Sequence, residues 1–151
     1  MTAVPVEIRA LGSEDAEAVR AAGFLFDDPP EAAATQRFLS DPRHHLLIAY
    51  DDRRRPVGFV SGVELTHPDK GTEMFLHELG VAARARRRGV GRALVEALEE
   101  RARRSGCYGM YTLADDDNVP ARATYARAGG RETSCPVMID WDLGPDPSRT
   151  D

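Results

Sequence analysis

The stretch that decides the fold reads LGVAARARRRGVGRAL, residues 79–94. An apolar, strand-like run ends there, a cluster of arginines follows, and the chain passes over Gly89 and Gly91 into a helix-forming segment. Closely spaced glycines permit a tight turn that exposes consecutive backbone N–H groups. Because such groups at a helix N-terminus favour an anion, and guanidinium groups suit phosphate, the stretch predicts a site for a phosphorylated ligand.

An arginine cluster is also typical of a solvated helix face or of a nucleic-acid patch. The turn is not a P-loop, because no Gly-Lys-Ser/Thr follows, and it lacks the third glycine of a dinucleotide fingerprint. The formal net charge of the 151 residues is -5, so the chain as a whole repels nucleic acid. We therefore predict no nucleic-acid partner.

The composition, 42% hydrophobic and 30% charged, suits one globular domain with a core. We expect that domain to occupy residues 1–143, followed by a polar, proline-rich, disordered tail over 144–151. No apolar run is long enough to span a bilayer and no secretory signal is visible, which predicts a cytoplasmic protein without a membrane partner. Cys107 and Cys135 have no metal-type spacing, so we predict reduced thiols and no metal.

Hydrophobic periodicity and turn residues predict alternating strands and helices. The predicted strands cover residues 6–11, 46–50, 57–65, 73–81, 108–114 and 137–143, and the predicted helices follow Ser13 and cover 31–39, 91–104 and 118–128. Strand–helix alternation in the second half indicates an α/β fold with parallel neighbours. A ligand site is then expected at the carboxyl ends of those strands, where the arginine–glycine turn and residues 115–117 lie.

Two motifs together carry a resemblance to a known family. The pattern RxxGxG at residues 86–91, followed by a helix, resembles the pyrophosphate loop of the GNAT N-acetyltransferase superfamily. The pattern NxxAxxxYxxxG at residues 118–129 is similar to the second motif of that superfamily, although Gly130 stands where the family often has phenylalanine. The resemblance covers residues 57–143. It implies a single α/β domain whose mixed central sheet of about six to seven strands is flanked by helices and has splayed central strands.

The resemblance implies acetyl-CoA as the cofactor. Backbone N–H groups of the turn would hold the pyrophosphate, and the central strand would bind the pantetheine arm as an added strand does. The cofactor-binding residues implied in this way are Leu79, Gly80, Val81, Arg86, Arg87, Arg88, Gly89, Val90, Gly91, Arg92, Ala93, Asn118, Ala121 and Tyr125.

Acetyl transfer to an amine needs a base that removes the proton of the amine and an acid for the departing thiolate. The match to the second motif implies Tyr125 as the general acid, with a core tyrosine as the structural alternative. Glu78 and His77 are the candidates for the base, and a water relay or Asp115 are the other possibilities. Neighbouring side chains on a strand face opposite sides unless a bulge rotates them.

Acidic side chains suggest the class of amine. Asp115 and Asp116 end a predicted strand, and Asp140 and Asp142 lie on the last one. Together with Glu78 they would form an acidic cleft that suits a polycation, unless those before the helix only cap it. The run ADDDNVPARATY, residues 114–125, resembles aminoglycoside 3-N-acetyltransferases of the gentamicin-modifying type. This implies direct attack by the 3-amino group of an aminoglycoside in a ternary complex.

Other amines remain open at this point: a polyamine, a small metabolite, or the lysine or N-terminus of a protein. A non-catalytic acetyl-CoA-binding module is the alternative outside enzymes, and the presence of Asn118 and Tyr125 argues against it. Members of the family often pair through the final strand and apolar edges, so the resemblance also implies a homodimer.

Overall fold

The structure is a computed structural model that describes residues 5–145, so most of the predicted tail, 146–151, lies outside the described residues. The strands are β1 (Glu7–Ala10), β2 (His44–Tyr50), β3 (Pro56–His67), β4 (Gly71–Val81) and β5 (Met110–Tyr111). The α-helices are α1 (Ala16–Ala21), α2 (Ala32–Ser40), α3 (Val90–Arg104) and α4 (Val119–Arg127). Short 3-10 turns cover Gly23–Leu25 and Ala83–Ala85.

The sheet has the order β1-β2-β3-β4-β5. The first four strands are antiparallel, and β5 is parallel to β4 through the pairs Met74↔Met110 and Phe75↔Tyr111. This confirms the α/β class and the mixed sheet. The expected number of strands was wrong, because the described part of the chain forms five rather than six to seven.

Alternation along β2 divides the core into two layers. Leu47 and Ala49 join the cluster that α3 covers, whereas Leu46 and Ile48 join the cluster under α1 and α2. The two sets lie on opposite faces because successive side chains of a strand do so. From α3 the buried side chains are at helical spacing and include Val90, Leu94, Val95, Leu98 and Ala102.

A bulge and a divergence shape the end of β4. Opposite Ser61 and Gly62, β4 pairs through Glu78 and then Leu76, so His77 is an extra residue without a register partner. Beyond Phe75, β4 no longer pairs with β5, and the last link is the Thr112 hydroxyl, which donates to the Leu76 carbonyl at 2.8 Å. The strands separate from there, which is the splay that the resemblance implied.

The predicted final strand is wrong. Residues 131–143 carry no strand, and their side chains are exposed. The predicted strand over 108–114 likewise shortens to the two residues of β5. A strand needs a partner for its backbone hydrogen bonds, and within the described residues no strand pairs with residues 137–143. Asp140 and Asp142 therefore do not lie on the sheet.

Both cysteines are free thiols, Cys107 half-buried and Cys135 exposed. Among residues 5–145 no group of three or more His, Cys, Asp or Glu side chains is placed to hold a metal ion. No helix in the same range combines the length and the apolar character needed to cross a bilayer.

Candidate active site

A cleft of about 850 Å³ opens where β4 leaves β5. Its walls come from four parts of the chain: the end of β4 with the following turn (77–84 and Arg86), Phe59 of β3, Asp115 and Asn118 before α4, and residues 24, 25 and 27. The splay therefore brings the two motifs of the sequence to one place.

The turn into α3 has the backbone expected of an anion site. Gly89 is the N-cap of α3 with φ 81°, and no side chain caps the helix. Arg87 has φ 62°, an uncommon conformation for a residue with a Cβ. Alternation of left-handed and right-handed residues curves the backbone so that successive N–H groups point into one concavity. The first turn of α3 thus presents amide donors and the positive end of its dipole to the same point.

Gly91 brings α4 close to this turn. A Cβ at position 91 would lie 3.1 Å from Thr124 Cγ2 and 3.7 Å from Val81 Cγ2. The missing side chain lets the first turn of α3 pack directly against α4 and the end of β4. Gly91 therefore has a packing role in addition to its predicted place among the anion donors.

The arginines of the turn divide into two groups. Arg84 and Arg86 line the cleft, where they donate to the carbonyls of Pro56 at 3.3 Å and Val81 at 3.2 Å. Those backbone anchors leave further N–H groups of each guanidinium for a ligand. Arg87 and Arg88 are exposed beside the turn.

Arg92 forms a salt bridge with Glu96 on the next turn of α3 at 2.7 Å. Its guanidinium is therefore already engaged by a carboxylate on its own helix. Of the predicted cofactor-binding residues, Leu79, Gly80, Val81, Arg86 and Asn118 line the cleft, whereas residues 87–93, Ala121 and Tyr125 are not among its lining residues.

His77 and Glu78 both line the cleft. They are consecutive, and the bulge at His77 is the reason that they reach the same side. The ring of His77 stacks on Phe75 with centroids 5.5 Å apart. Either side chain is placed to take a proton from an amine in the cleft, so both remain candidates for the base.

Tyr125 lies on α4 and is not among the lining residues of the cleft. It is half-buried and packs against the α3 core cluster. Burial raises the pKa of its hydroxyl above the ordinary value, and a hydrogen bond with the Thr112 hydroxyl acts in the opposite direction. The hydroxyl is thus protonated at neutral pH, the state that a general acid needs.

Asn118 caps α4 and lines the cleft at the same time. Its Oδ1 accepts the backbone N–H of Ala121 at 3.3 Å. Because this bond occupies Oδ1, the NH₂ group of the side chain is left to donate to a ligand. Asn118 rather than Asp116 or Asp117 is the N-cap, so helix capping does not account for those aspartates.

The predicted acidic residues separate in space. Asp115 lines the cleft with Glu78, whereas Asp116, Asp140 and Asp142 are not among its lining residues. The Asp116 carbonyl accepts a bond from Arg122 Nη1 at 2.6 Å. Asp140 and Asp142 belong to the exposed segment after α4.

The lining residues that went unnoticed in the sequence include Phe24, Leu25 and Asp27. They come from the 3-10 turn Gly23–Leu25 and the loop after it, which crosses the sheet beside Gly80. Asp27 adds a third carboxylate to those of Glu78 and Asp115, and Phe24 offers an apolar wall that is 61% exposed. The only signal was an apolar pair just before an acidic loop.

We expect Gly80→Ala to destabilise the protein by about 1–3 kcal/mol, as overpacking does. A Cβ at position 80 would lie 2.6 Å from Phe59 Cε1, so this buried ring must move. Urea unfolding measures the change. Gly109→Ala is the matched control, since nothing lies within 4 Å of that Cβ, and it should change the stability by less than about 0.5 kcal/mol. Equal stability of the two variants would contradict the packing described.

Comparison with known proteins gives a family match over most of the chain. The model of the Acetyltransferase (GNAT) family matches residues 13–130. No curated protein matches the chain in sequence.

Solved structures share the fold. The aminoglycoside acetyltransferase meta-AAC0020 from an uncultured soil metagenomic sample, in complex with sisomicin, is similar with a TM-score of 0.84 and 17% identity, over 92% of this chain and 97% of that one. The aminoglycoside acetyltransferase HMB0005, also from an uncultured soil metagenomic sample, has a TM-score of 0.76 and 26% identity, over 91% and 99%. The aminoglycoside N-acetyltransferase AAC(6')-Iy in complex with CoA has a TM-score of 0.77 and 20% identity, over 91% and 95%.

Proposed function

The chain belongs to the acetyltransferase (GNAT) family and is an acetyl-CoA-dependent N-acetyltransferase, and we propose that its substrate is an aminoglycoside, acetylated on the 3-amino group. The observation that carries the proposal is the cluster of three carboxylates, from Asp27, Glu78 and Asp115, that lines the cleft. A cleft of this charge suits a substrate with several ammonium groups.

The described residues fit coenzyme A. The turn at 87–91 offers uncapped backbone donors for a diphosphate, and Arg84 and Arg86 add charge beside it. The edge of β4 beyond Phe75 is not paired with β5, so the backbone of residues 79–81 can bind an extended pantetheine arm as a further strand. Asn118, with its amide oriented by the cap, also lines the cleft.

Bound acetyl-CoA supplies an acetyl thioester that an unprotonated amine can attack. The carboxylates of Asp27 and Asp115 would hold ammonium groups of the substrate, and Glu78 or His77 would accept the proton of the reacting amine. Tyr125 Oη would hold the proton that the departing thiolate needs. Its raised pKa keeps that proton in place through the neutral range.

The neighbours support the substrate class. Two of the similar structures are aminoglycoside acetyltransferases from soil samples, one of them with sisomicin bound. The 3-amino position rests on the resemblance of residues 114–125, and one neighbour is an AAC(6') enzyme. Analysis of the reaction product is therefore needed to determine which amino group of the aminoglycoside carries the acetyl group.

The experiment is a thiol-release assay with acetyl-CoA across aminoglycosides, polyamines, peptides and protein N-termini. We expect the highest kcat/KM with a gentamicin-type aminoglycoside, and two-dimensional NMR of the product should locate the acetyl group on the 3-amino nitrogen. A 6'-acetylated product would contradict acetylation of the 3-amino group but would still agree with an aminoglycoside substrate. Preferred acetylation of a polyamine or peptide would contradict the class.

Neutralising a lining carboxylate should weaken aminoglycoside binding. Asp27→Asn and Asp115→Asn are each expected to raise KM by about fivefold, as the loss of one partly exposed charge pair does. Asp28→Asn is the matched control, because Asp28 is exposed next to Asp27 and does not line the cleft. An unchanged KM in the first two variants, or an equal rise in the control, would remove the acidic cleft as the binding site.

We also propose that the protein is a homodimer, as the resemblance implies, and that it is cytoplasmic, as the composition implies. Sedimentation of the purified chain tests the first, and fractionation of the cells that produce it tests the second.

A further inference from the structure

Thr112 lies where β4 and β5 begin to separate. It directly follows β5, and its hydroxyl donates to the Leu76 carbonyl at 2.8 Å, just beyond the last register pair of the two strands. Leu76 immediately precedes the bulge residue His77, which lines the cleft. The Thr112 hydroxyl therefore lies at the start of the split between the strands, one residue from the cleft wall.

The same hydroxyl also contacts α4. Tyr125 packs from that helix against the α3 core cluster, and its hydroxyl forms a hydrogen bond with Thr112. This contact places the Tyr125 hydroxyl at the start of the split, although Tyr125 is not among the lining residues of the cleft. One threonine side chain thus joins a phenol on α4 to the backbone of β4.

The single hydrogen of the Thr112 hydroxyl decides the direction of the two bonds. A threonine hydroxyl has one hydrogen to donate and two lone pairs that accept. While that hydrogen is donated to the Leu76 carbonyl, Thr112 can only accept from Tyr125. The Tyr125 O–H group then points at Thr112 Oγ1, which holds the phenol in its protonated form and in one orientation.

Loss of the Tyr125 proton reverses the direction of its bond with Thr112. A phenolate oxygen only accepts hydrogen bonds, and a bond to a charged acceptor is stronger than a bond to a neutral carbonyl. The Thr112 hydrogen reaches the phenolate by rotation of the hydroxyl. Burial raises the pKa of Tyr125, and a hydrogen donated by Thr112 acts in the opposite direction because it stabilises the phenolate.

We propose that Thr112 is a positioning residue for proton transfer by Tyr125, which accepts from the phenol before the transfer and donates to the phenolate after it. The inference rests on the proposed role of Tyr125 as the general acid. In the transfer the phenol hydrogen turns to the sulfur of the departing thiolate, the Oη–H bond breaks and an S–H bond forms. Thr112 turns its hydrogen from Leu76 to Tyr125 and neither gains nor loses a proton. A proton from water then restores the phenol.

The test measures kcat and KM with acetyl-CoA and the amine of highest kcat/KM in the thiol-release panel, so it does not depend on the substrate class. Thr112→Val keeps the shape of the side chain and removes the hydroxyl. We expect kcat to fall by about tenfold, with KM for both substrates within about threefold of the parent. Thr112→Ser keeps the hydroxyl and should retain at least about half of the parent kcat. An unchanged kcat in the valine variant, or an equal loss in the serine variant, would overturn the proposal.

Thr124→Val is the matched control. Thr124 precedes Tyr125 on α4, and its hydroxyl also donates to a backbone carbonyl, that of Pro120 at 3.0 Å. This variant should keep kcat within about twofold of the parent, and a tenfold loss would overturn a specific role of Thr112. Thermal unfolding followed by circular dichroism checks the fold of each variant. Thr112→Ala, which removes the hydroxyl without adding a methyl group, repeats the measurement if valine disturbs the packing.

A double-mutant cycle separates positioning of Tyr125 from linkage of the two strands. In the Tyr125→Phe background, Thr112→Val should lower kcat by less than about twofold, because the phenol through which Thr112 acts is gone. A tenfold loss in both backgrounds would overturn the proposal and give Thr112 a structural role between β4 and β5.

The same cycle distinguishes failure of this inference from failure of the proposed acid. A Tyr125→Phe enzyme with the parent kcat would overturn both the acid and the role of Thr112. A loss of about 10²-fold in Tyr125→Phe, together with the parent kcat in Thr112→Val, would leave Tyr125 as the acid and overturn the role of Thr112 alone.

Discussion

Gly89→Asp is expected to weaken acetyl-CoA binding by 10²–10³-fold, on the order of 4 kcal/mol, the repulsion between two charges about 4 Å apart at an effective dielectric of 20. Position 89 is the N-cap of α3, directly at the concavity formed by the turn. An aspartate there brings a negative charge towards the diphosphate and accepts the same N–H donors. Isothermal titration calorimetry with acetyl-CoA and with CoA measures the loss.

Gly89→Asn is the matched control. Asparagine has the same shape without the charge, and both residues tolerate the left-handed conformation that φ 81° requires. It should bind acetyl-CoA clearly better than the aspartate variant. If both variants bind as the parent chain does, the turn does not hold the diphosphate. If both lose binding equally, the cause is backbone strain rather than charge.

Tyr125→Phe is expected to lower kcat by about 10²-fold, the usual contribution of a positioned general acid. The phenyl ring keeps the packing against the α3 core, so acetyl-CoA affinity should stay within about threefold of the parent. Steady-state kinetics with the best amine, together with calorimetry, separates the two effects. Because burial raises the pKa of Tyr125, the parent enzyme should not lose activity through this group until the pH exceeds about 10.

Tyr108→Phe provides the control for the same chemical change. Tyr108 is exposed and does not line the cleft. Its hydroxyl forms a hydrogen bond with Glu73 near the β3–β4 hairpin. It should keep the parent kcat. A Tyr125→Phe enzyme with unchanged kcat would remove Tyr125 as the acid, and a parallel loss of acetyl-CoA affinity would give it a structural role instead.

The sequence predicted the region around Gly89 well because its structure is decided locally. Spaced glycines, a preceding apolar strand and the helical spacing of Val90, Leu94 and Leu98 all specify a strand, a turn and a helix within thirty residues. The observed strand β4 and helix α3 on either side of the turn agree with that prediction. Such local agreement between turn chemistry and periodicity makes a segment predictable.

The remaining features depend on contacts that are distant in sequence. Whether His77 and Glu78 share a side depends on a bulge against β3, which the alternation of β4 does not reveal. Asp27 reaches the cleft because its loop crosses the sheet at Gly80. Residues 137–143 have the alternation of a strand, but no strand of the described sheet pairs with them. An alternating segment forms a strand only where an edge is present to pair with it.

The whole mechanism requires that the backbone of the turn before α3 holds the diphosphate of coenzyme A. A crystal structure of the chain with CoA tests it most directly. We expect diphosphate oxygens within about 3.2 Å of the N–H groups of Val90, Gly91 and Arg92, with the pantetheine arm along residues 79–81. A CoA molecule bound elsewhere, with this turn in contact only with solvent, would contradict it.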